Sequence, residues 1–190
     1  MKKFLEDKFD SKCGKLEYVL PDCNEKETII FKDLCDYFLD KSFDDEIDPM
    51  TIVNIIDKYY DEADFDKLQE RIAFSLKKLE ENNYVIYNGG LMGMGLPSVS
   101  ISDKGFCFYL KEFYINPTAY LVVIEELSSS NNFIISDFSK KYKIHYSIIE
   151  SLIKIFRKKD FISCDNDLNN IIVTPQGKEF FESKLSKNIF

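Results

Sequence analysis

LKKLEENNYVIY, residues 76–87, and ISDKGFCFYL, residues 101–110, are the two stretches that decide the predicted fold. Apolar residues lead into the first stretch at helical spacing, namely Leu68, Ile72, Leu76 and Leu79. The short β-favouring runs YVIY and SVSIS then flank the glycine-rich residues 88–97, which is typical of a β-hairpin. The predicted order is therefore helix, strand, loop, strand and helix.

The same order recurs further along the chain. The helical segment HYSIIESLIKIFRKKD, residues 145–160, is followed by FISC, the polar turn DNDLNN, the strand IIVT and then PQGKEFFESKL. LKKLEENNYVIY matches IKIFRKKDFISC, and ISDKGFCFYL matches VTPQGKEFFE, so Gly105 corresponds to Gly177. This self-similarity indicates an internal repeat.

The upstream segments match as well. EIDPMTIVNIIDKYY, residues 46–60, parallels FIISDFSKKYKI, residues 133–144, with Asp48 and Ser136 as the predicted helix caps. KETIIFKDLCDYFLD and PTAYLVVIEELSSS, which precede them, each read as one apolar helix. We predict two copies, residues 25–115 and 116–190. The extension 1–24 matches neither copy, and it either caps the first copy or serves as a dimerisation arm.

Fifteen residues carry a resemblance to a known superfamily: Leu76, Leu79, Tyr84, Val85, Ile86, Ile101, Lys104 and Gly105 in the first copy, and Leu152, Phe156, Phe161, Ile162, Val173, Thr174 and Gly177 in the second. In this pattern the chain resembles the winged helix-turn-helix superfamily, in which three helices precede a hairpin wing and a closing helix. The resemblance implies an α+β, mainly α fold with two winged helix-turn-helix domains in tandem. Two features depart from the superfamily pattern. Asn83 and Asp160 occupy positions where the superfamily often has glycine, and the first wing is long and apolar.

Composition narrows the class of protein. The 190 residues have room for one ordinary domain or two small ones, with 45% hydrophobic residues to fill the cores. The five cysteines are scattered and never in CxxC spacing, which indicates buried thiols in a reducing compartment. The charged start MKKFLEDKFD does not resemble a signal peptide, and no apolar run approaches membrane-spanning length. We expect a soluble, cytoplasmic protein with no membrane partner.

Charge is unevenly distributed along the chain. The net charge is −8, but residues 1–66 hold 19 acids and 9 bases, whereas residues 67–190 hold 14 acids and 16 bases. A local basic face can bind nucleic acid even on an acidic protein. The second copy is therefore the better candidate for contact with double-stranded DNA.

In winged helices the third helix usually enters the major groove, and the wing touches the backbone. Seven bases fall within residues 140–159 of the second copy, opposed only by Glu150. With Ile148, Leu152 and Ile155 turned inward, we expect early polar residues to reach base edges and lysines to neutralise phosphates. The predicted DNA-binding residues are Lys140, Lys141, Lys143, His145, Tyr146, Ser147, Ser151, Lys154, Arg157 and Lys158. Alternatively, these lysines only keep a surface helix soluble.

The third helix of the first copy is a poorer candidate for DNA binding. Its bases alternate with acids, and residues 44–66 hold nine acids and one base. Phosphates beside such a run would be repelled. This helix is expected to be structural or turned toward a protein partner.

An enzymatic function is not expected. The sole histidine, His145, has no cysteine at metal-ligand spacing, and no carboxylate pair stands out from the acidic background. Cys107, within FCFYL, is expected in the core rather than as a nucleophile. We predict neither a cofactor nor a metal site.

The apolar residues of the first wing indicate a protein interface. Leu91, Met92, Met94 and Leu96 cannot all face inward from an extended wing tip, and Phe74 can belong to the same contact. A symmetry mate, giving a homodimer, or another protein would cover them; alternatively, the loop folds back on its own hairpin. The glycines lead into a strand rather than a helix, and their spacing is not that of a dinucleotide loop.

The function predicted from the sequence is DNA binding by the basic third helix of the second copy, as in a transcription regulator or a mobile-element accessory factor. The alternative is a non-enzymatic protein-interaction module built from tandem winged helices without DNA binding. The basic stretch favours the first, whereas the acidic total and the apolar wing favour the second.

Overall fold

The structure, a computed structural model, describes residues 18–43, 45–88, 98–116, 118–129, 133–168 and 170–186. In these ranges the chain is mainly helical with small antiparallel strand pairs, which confirms the α+β, mainly α class. The helices are α1 (Glu25–Tyr37), α2 (Pro49–Ile56), α3 (Phe65–Glu81), α4 (Asp103–Glu112), α5 (Ala119–Ser129), α6 (Ile135–Tyr142), α7 (Tyr146–Lys158) and α8 (Pro175–Ser186). The strands are β1 (Val85–Asn88), β2 (Ser98–Ile101), β3 (Ile162–Ser163) and β4 (Ile172–Val173).

The chain divides into two compact units. The first unit comprises Met1–Asp36 and Glu46–Gly105, and the second comprises Tyr37–Asp45 and Phe106–Phe190. The boundary between the predicted copies lies between residues 115 and 116 of the sequence. The compact units are instead defined by which residues contact one another, and their boundaries are different. Residues 37–45 therefore belong to the first copy in sequence and to the second unit in space.

The helices of the first unit begin where side chains satisfy their free N–H groups. Asn24 Oδ1 accepts from the Glu27 N–H and the Glu27 carboxylate accepts from the Asn24 N–H, both at 2.9 Å, which is a capping box for α1. Asp48 accepts from the Thr51 N–H at 3.0 Å, which confirms Asp48 as the cap of α2.

Helix α3 contributes a buried apolar face to the core of the first unit. The predicted stripe of Leu68, Ile72, Leu76 and Leu79 is buried, which confirms the helical spacing of the sequence. β1 pairs with β2 from Val85↔Ile101 to Asn88↔Ser98, and Val99 also bridges to Ile47 on its other side. The hairpin thus follows α3 directly. Ile47, which precedes α2, adds one further bridge on the outer side of β2.

A set of contacts that we name the exit lock fixes the passage from α3 into the hairpin and α4. Asn83 adopts a left-handed conformation with φ 58°, and its N–H donates to the Glu80 carbonyl at 2.7 Å. The Ser102 hydroxyl donates to the Asn83 carbonyl and accepts from the Gly105 N–H at 2.9 Å. A Cβ on Gly105 would lie 2.1 Å from the Tyr84 carbonyl oxygen, so only glycine allows this approach.

The second unit repeats the exit lock with different residues. Asp160 has φ 58°, and its N–H donates to the Arg157 carbonyl at 3.0 Å. The Thr174 hydroxyl donates to the Asp160 carbonyl at 2.7 Å and accepts from the Gly177 N–H at 3.0 Å. A Cβ on Gly177 would lie 1.9 Å from the Phe161 carbonyl oxygen. Neither position 83 nor position 160 is glycine. The chain nevertheless leaves the third helix of each copy through a residue in the left-handed conformation.

Two side chains from the segment Tyr37–Asp45 are part of the core of the second unit. Phe43 is buried, with its ring centroid 4.9 Å from that of Phe106 and 6.0 Å from that of Tyr109. Phe38 begins the 3-10 helix Phe38–Asp40 and is also buried, with its ring 5.5 Å from Phe43. The second unit therefore depends on aromatic residues supplied from the sequence of the first copy.

Two local predictions are wrong. Ser136 is not a cap, because α6 begins at Ile135 and its cap position is Ile134, which makes no side-chain cap bond. Cys107 is exposed rather than in the core, because Phe106, Tyr109 and Leu110 form the buried face of α4.

Candidate nucleic-acid interface

The candidate interface lies on α7. Most of the side chains of this helix are buried. Its buried positions are Ser147, Ile148, Ile149, Ser151, Leu152, Ile153, Ile155 and Phe156. The side chains that reach solvent form one strip, which we name the α7 ridge: Tyr146, Glu150, Lys154, Arg157 and Lys158. The predicted helix is therefore present, but it presents a narrower face than its sequence suggested.

Ser147 and Ser151 do not lie on that face. Ser147 is 3% exposed, and its hydroxyl donates to the Leu39 carbonyl at 2.7 Å. Ser151 is 4% exposed, and its hydroxyl has no hydrogen-bond partner among the described residues. The prediction that both serines are exposed is wrong, because the 3-10 helix Phe38–Asp40 packs on this side of α7.

The N-terminal end of α7 is held by an aromatic side chain. The His145 N–H donates to the Tyr114 hydroxyl at 3.0 Å, and the two rings meet edge-on with their centroids 6.1 Å apart. Burial raises the pKa of the Tyr114 hydroxyl. His145 and Tyr146 are both exposed, as predicted. This end of the ridge is therefore anchored while its side chains remain accessible.

Three predicted lysines surround the turn before α7. Lys140 and Lys143 are exposed, and Lys143 takes a left-handed conformation with φ 54° that ends α6. Lys141 pairs with Glu126 at 3.1 Å. Hydrogen bonding from the Tyr142 hydroxyl, together with Lys141, lowers the pKa of the Glu126 carboxyl. Lys141 is therefore paired with an acid of its own unit, whereas Lys140 and Lys143 face solvent.

The C-terminal end of α7 carries the remaining predicted bases. Lys154 pairs with Glu150, with 3.0 Å between Nζ and Oε1. The Arg157 guanidinium donates to the Asp165 carbonyl at 3.5 Å and to Asn166 Oδ1 at 3.3 Å, which ties the loop between β3 and β4 to α7. Lys158 and its neighbour Lys159 are exposed. Arg157 therefore positions this loop rather than offering a free cation.

The structure adds one residue, Leu39, to the sequence-based view of the site. Leu39 covers Ser147 through a contact 108 positions apart in sequence, which no local pattern signals. Glu150 lies in the middle of the ridge, as its helical spacing from Tyr146 and Lys154 predicts.

The predicted protein interface falls partly within the described residues. Phe74 is 62% exposed on α3, and Lys78 Nζ lies 6.0 Å from its ring centroid. Leu91, Met92, Met94 and Leu96 lie outside the described residues. Three bases of α3 are paired with acids, Lys67 with Asp64 at 3.4 Å, Arg71 with Glu62 at 3.5 Å and Lys78 with Glu81 at 2.9 Å.

Comparison with known proteins gives no family for this chain, because no family model, no curated protein and no solved structure matches it. Within the part of the chain that the structure describes, none of the helices has both the length and the apolar character to cross a membrane.

Proposed function

We propose that this chain binds double-stranded DNA through the α7 ridge and that its two copies are winged helices. The winged-helix assignment is supported by the order of three helices, a hairpin and a helix, which occurs twice. The repeated exit lock supports it further, since the same contacts join the third helix, hairpin and closing helix in each copy.

The observation that carries the DNA-binding proposal is the placement of bases at both ends of α7. Lys140 and Lys143 precede its N-terminus, and Lys158 and Lys159 end it. A 13-residue helix is about 20 Å long, compared with about 12 Å for the width of the major groove. Bases at the two ends of such a helix can therefore reach the phosphates on both sides of the groove.

The structure narrows the set of residues that can contact DNA. Ser147 and Ser151 are buried, so they do not read bases unless the 3-10 helix Phe38–Asp40 moves away. The acids Asp165 and Asp167 are exposed on the second wing, which makes that wing a weak phosphate contact. Binding is assigned to the ridge and to the bases around it. A transcription regulator or a mobile-element accessory factor is the class of protein that such binding fits.

The test is a salt series of binding to labelled duplex DNA. Within the described residues Lys140 and Lys159 are exposed and have no ion-pair partner, so Lys140→Glu/Lys159→Glu should weaken binding and reduce the slope of log K against log salt by about 2. Lys178→Glu on α8 changes an exposed base of the same unit and should leave the slope unchanged. Absence of binding at low salt would contradict the proposal, and so would equal slopes for all three proteins.

A second candidate is a protein-interaction module, which the exposure of Phe74 favours. The Phe74 ring is 62% exposed and offers apolar area that a partner would cover on binding. If this face mediates self-association, Phe74→Ser should lower the molecular mass measured by sedimentation velocity. Phe65→Ser, at a 49% exposed phenylalanine of the same helix, is the control. A wild-type chain that sediments as a monomer at high concentration would exclude self-association through this face.

A further inference from the structure

The α7 ridge leaves very few side chains that can discriminate between bases. Of the polar residues in the first two turns of α7, Ser147 and Ser151 are buried, and only Tyr146 and Glu150 reach solvent. Tyr146 lies at the first position of the helix, beside the basic turn. Glu150 lies one turn further along, between the basic ends, where the helix would run deepest in a groove.

The Glu150 carboxylate is held in place but remains accessible. Its Oε1 lies 3.0 Å from Lys154 Nζ, and 20% of its side chain is exposed. A single lysine leaves other lone pairs of the carboxylate free to accept hydrogen bonds. The Lys154 side chain is 34% exposed, so neither partner of the ion pair is closed off from solvent.

We propose that Glu150 is a specificity-determining residue that selects cytosine at one position of the bound duplex; this inference rests on the proposed DNA binding. An ionised carboxylate only accepts hydrogen bonds, and in the major groove cytosine offers the N4 amino group as a donor. Guanine presents two acceptors, O6 and N7, and thymine presents the acceptor O4, so both repel the carboxylate. Adenine offers a donor beside an acceptor, N7, which suits an amide better than an anion.

Lys154 completes the recognition of the same region. Its ammonium group is a donor without acceptor capacity, and it is held next to the carboxylate by their ion pair. Guanine, the partner of cytosine in the duplex, presents the acceptors that such a donor needs. The Glu150–Lys154 pair therefore offers an acceptor for cytosine and a donor for its partner guanine.

The experiment is selection of binding sites from a pool of random duplexes by the full chain, at fixed moderate salt. The proteins are wild type, Glu150→Gln and the control Glu179→Gln, which removes an exposed carboxylate from α8. Wild type and the control should enrich a site with cytosine at one position. Glu150→Gln should change that position to adenine, because an amide bonds adenine N6 and N7, with a loss of about tenfold in affinity for the cytosine site.

The outcomes separate this inference from the function beneath it. If the wild-type chain binds no duplex at any salt, the proposed function fails. If it binds but enriches no sequence, or if Glu150→Gln enriches the same cytosine as wild type, the inference fails and the proposed function stands. Thermal melts of all three proteins check that the two substitutions leave the fold intact.

Discussion

Gly105 and Gly177 stand where each closing helix passes a backbone carbonyl too closely for any side chain. We expect Gly177→Ala to lower the free energy of unfolding by about 1–3 kcal/mol, because its Cβ would lie 1.9 Å from the Phe161 oxygen and the backbone must shift. Urea denaturation measures the change. Ser183→Ala, at an exposed position of α8, is the control and should stay within about 0.5 kcal/mol. Equal small effects of both substitutions would contradict the close approach.

Asp160 adopts a backbone conformation that costs an L-residue free energy. The φ of Asp160 is 58°, and glycine adopts this conformation without strain. We therefore expect Asp160→Gly to raise the free energy of unfolding by about 0.5–1 kcal/mol. Lys159→Gly, one residue earlier at φ −96°, should instead be destabilising. Denaturation curves of the two variants compare the positions directly. Stabilisation by both substitutions, or by neither, would refute the assignment of strain to residue 160.

At the scale of the element, α7 shows how two similar side chains on one face can have opposite effects. Ser147→Ala should lower the free energy of unfolding by about 1 kcal/mol, because the Leu39 carbonyl loses its donor at 2.7 Å. Ser151→Ala should leave it unchanged or raise it by up to about 1 kcal/mol, because the buried hydroxyl has no partner among the described residues. Thermal and urea denaturation test the two signs, and a shared sign would argue against the packing of Phe38–Asp40 on α7.

The same helix shows what the sequence could and could not predict. The stripe of Ile148, Leu152 and Ile155 follows from helical spacing, and the hairpin follows from local propensities, so both could be predicted. The burial of Ser147 could not, because it depends on Leu39, which lies 108 positions away. Helical periodicity identifies the most apolar face of a helix, but it does not reveal a second face covered by a distant turn. The sequence therefore predicts the helix and its apolar stripe, but it places Ser147 and Ser151, which are buried, on the exposed side.

At the scale of the whole molecule, the second unit is completed by a segment that the sequence assigns to the first copy. Phe43→Ala should lower the free energy of unfolding by about 3–5 kcal/mol, because a buried ring that contacts Phe38, Phe106 and Tyr109 is lost. The amides of α7 should then exchange hydrogen faster, more so than those of α3, since Phe43 belongs to the second unit. Hydrogen exchange followed by mass spectrometry measures both helices in one experiment.

Phe74→Ala is the matched control for this prediction. It removes the same side chain from a position that is 62% exposed, so its effect on stability should stay within about 0.5 kcal/mol and its effect on α7 exchange should be absent. Faster exchange confined to α3 in the Phe43→Ala protein would place residues 37–45 with the first unit and overturn the division by contacts.

The exit lock also has a practical consequence for protein engineering. It secures each pair of strands at the end that is nearest the helices. Nine residues connect β1 to β2 and eight connect β3 to β4, and doubling such a loop costs only about 0.6 kcal/mol of closure entropy. Peptide tags or fluorescent reporters inserted at either tip should therefore be accommodated, which gives the chain two points of attachment away from its termini.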